Sequence, residues 1–212
     1  MLNQTTNEVC RVFLRWPGLA VIACFGLMAP AHADTLSLEK PAPYERCGYC
    51  HEYGDNPSMK EYPKLNGQKR QYLLKQLQDY KTGRRNGKGM MQTPVLLLSD
   101  EEMDVVADYY SKQKPVPENS PSTMKNTAHA REIWTKGIRA RQIVACKLCH
   151  ESSEPEIPRL AGQHAEYLAS QLRAFKTRSR TNDVATIMQF LAERLSNDEI
   201  LQLSHYLAAG AR

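Results

Sequence analysis

The 212-residue chain has 28 basic and 23 acidic side chains, a formal charge of +5, and only six cysteines. Near its start, Arg11 and Arg15 precede an apolar run from Trp16 to Ala29 that ends in Ala31-His32-Ala33, the pattern of a secretory signal cut after Ala33. The run is shorter than the roughly 20 residues of a spanning helix, which argues against a membrane anchor. Lipidation at Cys24, within Val21-Ile22-Ala23-Cys24, is the minor alternative. Removal of residues 1–33 takes Arg11, Arg15 and Glu8 with it and lowers the basic excess by one. The remaining length suits one or two small domains.

Asp34 to Arg46 opens the mature chain, where Pro41 and Pro43 argue against a regular helix running up to Cys47. A polar loop follows from Glu52 to Pro63. Gly67 to Lys81 then reads as a helix, with Tyr72, Leu73, Leu77 and Tyr80 on one side. Thr82 to Leu98 is expected to be a loop, and a second helix starts at Ser99, where Ser99 and Glu102 have capping-box spacing and Met103, Val106, Tyr109 and Tyr110 face inward. Pro115, Pro117 and Pro121 among polar residues mark a linker.

Beyond the linker the pattern returns. Pro63-Lys64-Leu65-Asn66-Gly67-Gln68 recurs as Pro158-Arg159-Leu160-Ala161-Gly162-Gln163, an offset of 95, and Tyr72, Leu73, Leu77 and Tyr80 become Tyr167, Leu168, Leu172 and Phe175. Farther on the offset becomes 97, and Ser99 with Glu102 returns as Ser196 with Glu199. Such parallel preservation indicates an internal duplication. The expected domains are 34–114 and 127–212, joined by the linker 115–126. The copies differ at their starts: Ala128 to Gly137 can form a helix, with Trp134 placed to cross the final helix near Tyr206. The first copy is expected to lack that helix or keep a very short one.

Each copy carries one Cys-x-x-Cys-His run, Cys47-Gly48-Tyr49-Cys50-His51 and Cys146-Lys147-Leu148-Cys149-His150. Two thiols three positions apart can form thioethers to the vinyl groups of one haem, with the adjoining imidazole as the fifth iron ligand. Zinc is disfavoured because adjacent ligands strain a tetrahedral site and the next ligand pair is missing between the runs. A redox dithiol is disfavoured by the doubled, His-terminated form. Four cysteines remain after cleavage and all lie in these runs, so none is spare for a disulfide.

The sixth ligands are sought among methionines. Met188 is the only methionine after Met124 and lies eight positions before Ser196; the same count back from Ser99 lands on Met91. His/Met pairing closes the iron to exogenous ligands and favours the ferrous state more than a second imidazole does. Met90 is the rival in the first copy. His129, His164 and His205 are expected on polar helix faces rather than at iron. Pro63 and Pro158 are candidate haem contacts, while Lys81 to Lys88 and Lys176 to Arg180 read as solvated surface that haem propionates or an acidic partner could use. Two haems would add about four negative charges as propionates and bring the molecule close to neutral, which leaves no case for nucleic acid.

Tandem Cys-x-x-Cys-His domains, each with Pro-basic-Leu-x-Gly-Gln, a Tyr-Leu-x-x-x-Leu helix, a late methionine and a closing Ser-x-x-Glu helix, resemble the exported di-haem cytochrome c4 family over nearly all of the mature chain. The resemblance implies an all-α protein of two tandem cytochrome c-like domains, facing each other through their haem propionate edges. It implies two covalently bound haem c groups held by Cys47, Cys50, Cys146 and Cys149, with His51 and Met91, and His150 and Met188, as iron ligands. Glu52 and Glu151 depart from the family's usual glycine after the haem histidine. The implied role is a periplasmic electron carrier, not an enzyme, passing electrons among redox proteins such as a terminal oxidase, a dehydrogenase or a quinol-oxidising complex, with peripheral membrane association allowed. The alternatives are the cytochrome subunit of a dehydrogenase, or a di-haem peroxidase or thiosulfate-oxidising enzyme with one open or unusually ligated iron.

Overall fold

The computed structural model describes residues 41–51, 60–86, 90–115 and 128–211. The proposed signal, Cys24, Glu52 and most of the linker lie outside them. The described residues form helices and connecting turns, with a single isolated antiparallel bridge between Ile138 and Ile143.

In the first repeat, α1 (Pro43–His51), α2 (Arg70–Lys81), α3 (Gln92–Leu96) and α4 (Asp100–Lys112) surround a core of Leu73, Leu77, Val95, Leu98, Met103, Val106, Ala107 and Tyr110. The second has α5 (Ala128–Lys136), α6 (Lys147–His150), α7 (Ala165–Lys176), α8 (Ile187–Glu193) and α9 (Asn197–Ala208). Its core joins Ala130, Ile133, Trp134 and Ile143 to Leu168, Ala169, Leu195, Ile200, Leu203, Tyr206 and Leu207. Trp134 and Tyr206 thus share one buried cluster, as the sequence suggested. In both repeats the Gly-Gln turn is fastened to the last helix: the N–H of Gly67 donates to Tyr110 O at 2.9 Å and that of Gly162 to Leu207 O at 2.8 Å. Both glycines have positive φ, +71° and +80°, a conformation that costs glycine little.

Three expectations require correction. A helix does run through Cys47, because Pro43 occupies its first position, where the missing N–H is no loss. This α1 combines two jobs that α5 and α6 divide: it carries the Cys-x-x-Cys-His run and packs on the closing helix, with Tyr44 stacked on Tyr109 at 3.9 Å and accepting at its carbonyl a 2.9 Å bond from the Tyr110 hydroxyl. The helix expected from Gly67 begins at Arg70, since Gly67 and the extended Lys69 turn the chain first. The stretch expected to be loop contains α3, where Pro94 falls in the first turn and blocks no helical bond.

The repeats meet through bonds that obey the offset of 95. Gln163 accepts from Lys64 N at 2.8 Å and donates to Lys64 O at 3.0 Å, and Gln68 does the same with Arg159 N and O, both at 2.9 Å. Lys64 Nζ reaches Gly162 O at 3.1 Å and the Arg159 guanidinium bonds Gly67 O. The matched glutamines read each other's backbone, so the juxtaposition is specified by paired donors and acceptors as well as by shape.

Candidate haem sites

The Cys-x-x-Cys-His runs form one helical turn each, which places Cys47 and Cys146 half-buried against the two cores and leaves Cys50 and Cys149 exposed. No disulfide joins any of the four. Burial pushes the Cys146 thiol up to about 11.

The histidines are held alike. His51 Nδ1 lies 2.8 Å from Pro63 O, and His150 Nδ1 lies 2.9 Å from Pro158 O. A carbonyl only accepts, so Nδ1–H is the donor and the Nε2 lone pair is left for a metal. Burial lowers the pKa of both imidazoles, partly opposed by those carbonyl bonds, and the Lys69 charge lowers that of His150 further. Neutral imidazole is the form that ligates iron. Pro63 and Pro158, expected as haem contacts, orient the histidines through their carbonyls.

The aromatic surroundings differ between the sites. Tyr62 meets the His51 ring edge-on at 6.2 Å, whereas Trp134 lies roughly parallel to the His150 ring at 6.4 Å. Trp134 Nε1 also donates to Glu151 Oε1 at 3.2 Å. The carboxylate after the second histidine thus anchors the indole that covers that histidine, a pairing that sequence spacing could not reveal.

On the methionine side, Met91 is half-buried at the start of α3 and packs against the first core, while Met90 is 59% exposed. Met188 is half-buried in the first turn of α8, its N–H bonded to Asp183 Oδ2 at 2.8 Å. Two other expectations fail here. His164 is not on a polar face but 2% exposed at the start of α7. Arg85 and Arg180, read as solvated surface, are buried between the repeats because each reaches across to the other repeat's tyrosine. Arg85 bonds Gln76 at 2.6 Å, Gln171 at 2.9 Å and Tyr167 at 3.0 Å; Arg180 bonds Gln171 at 2.7 Å, Gln76 at 3.2 Å and Tyr72 at 3.4 Å.

Burial works against the Arg85 charge, but the oxygens of Tyr167, Tyr72 and Tyr80 hold its pKa above the usual guanidinium value. Among the described residues neither arginine has a carboxylate partner. Two buried cations without an anion call for one, and a haem propionate has the right charge. The donor set therefore fits haem: in each repeat, two thiols, an oriented imidazole, a half-buried methionine and a buried guanidinium.

No family model matches the chain. It is 36% identical over 198 residues to cytochrome c4 of Pseudomonas aeruginosa, covering 89% of this chain and 96% of that protein. A thiosulfate dehydrogenase electron acceptor of Stutzerimonas stutzeri is 32% identical over 208 residues, 92% of this chain and 94% of that one. The solved cytochrome c4 of Acidithiobacillus ferrooxidans superposes with a TM-score of 0.70 at 29% identity, covering 78% of this chain and 99% of that structure. With this helical fold, and with relatives at that identity along almost their whole length, the chain belongs to the cytochrome c4 family of haem-bearing electron carriers.

Proposed function

We propose that each repeat, 34–114 and 127–212 with 115–126 between them, binds one haem c covalently. Cys47 and Cys50 form the thioethers in the first and Cys146 and Cys149 in the second. His51 and Met91 hold the first iron, and His150 and Met188 the second. The haem supplies a one-electron ferric/ferrous couple. Around it the chain would do the rest: Pro63 and Pro158 hold each imidazole by Nδ1, Met91 and Met188 would close the sixth position, and Arg85 and Arg180 would neutralise propionates at the repeat interface. Arg85 and Arg180, buried together between the repeats, would hold the propionates of both groups at one interface, where an electron could pass between repeats before leaving. The observation that carries this reading is the repeated histidine geometry, the same Nδ1 bond to the same proline of the repeated segment in both halves.

The carrier works in the periplasm after cleavage at Ala33 and docks transiently with a dehydrogenase, a quinol-oxidising complex or a terminal oxidase, since redox encounters need fast release. The likeness to a thiosulfate dehydrogenase electron acceptor favours one second reading, that the donor is a thiosulfate-oxidising dehydrogenase. The intact mass should exceed the polypeptide by two haems that survive denaturation, and the ferric spectrum should show the red-region band of methionine ligation. Carbon monoxide should not bind rapidly to the reduced protein. Rapid binding at one haem would assign that iron to substrate chemistry instead. Reduction by a thiosulfate-oxidising dehydrogenase with thiosulfate, compared with reduction by a quinol-oxidising complex, separates the two donors.

A further inference from the structure

The change of offset from 95 to 97 places two extra residues between Arg180, which matches Arg85, and Met188, which matches Met91. The longer segment is tied at both ends. Asn182 Nδ2 donates to Asp79 Oδ2 at 2.7 Å and to Gln76 Oε1 at 3.0 Å, both on α2 of the other repeat, while Lys75 Nζ donates to Asn182 O at 2.8 Å. Asp79 is 2% exposed and also bonds Lys75 at 2.6 Å and Arg84 at 2.8 Å, so the receiving carboxylate is itself fixed. Its counterpart in the second repeat is Ala174, which has no side chain to offer. One residue on, Asp183 Oδ2 accepts from Met188 N at 2.8 Å and Gln189 N at 3.1 Å, and Oδ1 from Gln189 Nε2 at 2.7 Å. Between this clamp and Met188, Ala185 and Thr186 both adopt left-handed backbone, φ 50° and 57°. Neither is glycine, and a β-branched residue resists that region, so the segment holds its shape only because its ends are fastened.

We propose that Asn182 and Asp183 are positioning residues that hold Met188 at the second haem iron, Asn182 by fastening its loop to α2 of the first repeat and Asp183 by bonding the Met188 and Gln189 amides. The proposal rests on the assignment of Met188 as a ligand. Through this tie the ligation of the second haem depends on a residue, Asp79, that belongs to the first repeat. A shift at the repeat interface would therefore reach the iron–methionine bond of the second haem.

The test compares holoprotein carrying Asn182→Ala, Asp183→Ala or Asp183→Asn with wild type. In the alanine variants half of the red-region methionine band should bleach at lower temperature and lower alkaline pH than in wild type. One reduction potential should fall while the other stays. The Met188 and Gln189 amides should exchange hydrogen about tenfold faster or more. Asp183→Asn keeps one carbonyl acceptor and should recover most of the effect. Unchanged potentials and amide protection in both alanine variants, or equal shifts at both haems, would overturn the proposal. Met188→Ala separates the two failures: a full band retained there defeats the ligand assignment. Half the band lost there, with the Asn182 and Asp183 variants like wild type, defeats the positioning role alone.

Discussion

Two thiols and an imidazole on one helical turn need no tertiary partner to suggest haem attachment, which is why Cys47, Cys50, His51 and their counterparts could be proposed from spacing alone. The second axial ligand is different, because any loop methionine can pack as a plain apolar residue. Register against the Ser99 and Ser196 caps picks Met91 and Met188, and the contrast between packed Met91 and 59% exposed Met90 points the same way. Met91→Ala should lower one potential by on the order of 0.1 V, a fraction of the roughly 0.8 V range that axial ligands span, whereas Met90→Ala should leave the redox titration in place. Glu199 offers a second test. Bonds from Arg141, the Ser196 N–H and His129 hold its carboxyl down to about 2. A depressed folded-state pKa contributes stability that is full above the unfolded value near 4.5 and is lost as pH falls towards 2. Glu199→Gln should therefore cost roughly 3 kcal/mol near neutral pH, with the gap closing across that window in denaturant titrations run as a pH series.

At the level of elements, the closing helices are specified most completely. Ser99 with Glu102 and Ser196 with Glu199 both form reciprocal capping boxes, with the hydroxyl and carboxylate each satisfying a free N–H. Ser196→Ala should cost about 1 kcal/mol in thermal or denaturant unfolding. Gly137 ends α5 at φ +75°, and a Cβ there would sit 2.1 Å from Ile143 O. Because that obstacle is backbone on the bridge to Ile138, Gly137→Ala should destabilise by on the order of 2–4 kcal/mol, measured by the same melts. The short elements were harder to read. Pro43 and Pro94 look like helix breakers in sequence, yet each falls in a first turn where no intrahelical bond is lost. Only the position of the helix start, set by packing of Tyr44 on Tyr109 and of Val95 in the core, tells the two cases apart.

Across the whole molecule, the duplication becomes a near-symmetric interface in which Gln68 and Gln163 exchange backbone bonds and Arg85 and Arg180 cross to opposite tyrosines. Gln163→Ala leaves the Lys64 N–H and carbonyl without their cross-repeat partner and should cost about 1–3 kcal/mol, lowering the unfolding transition. Gln68→Ala should match it through Arg159. The symmetry is broken around the histidines: Trp134 lies roughly parallel to one and Tyr62 meets the other edge-on. Lys69 Nζ bonds Ser152 O at 2.7 Å and Glu154 O at 2.8 Å, whereas its counterpart His164 is buried within the fold.

By itself the sequence determined the repeat, the helical class, the two Cys-x-x-Cys-His runs and the register on which Met91 and Met188 are proposed as ligands. These follow from spacing and periodicity, which are properties of a chain along its own length. Only the tertiary structure decided that Arg85 and Arg180 are buried, that Glu151 holds Trp134, and that Asn182 of one repeat is fastened to Asp79 of the other. Each of these joins residues far apart in the chain through a desolvated polar contact, and no local periodicity encodes which distant donor will meet which acceptor.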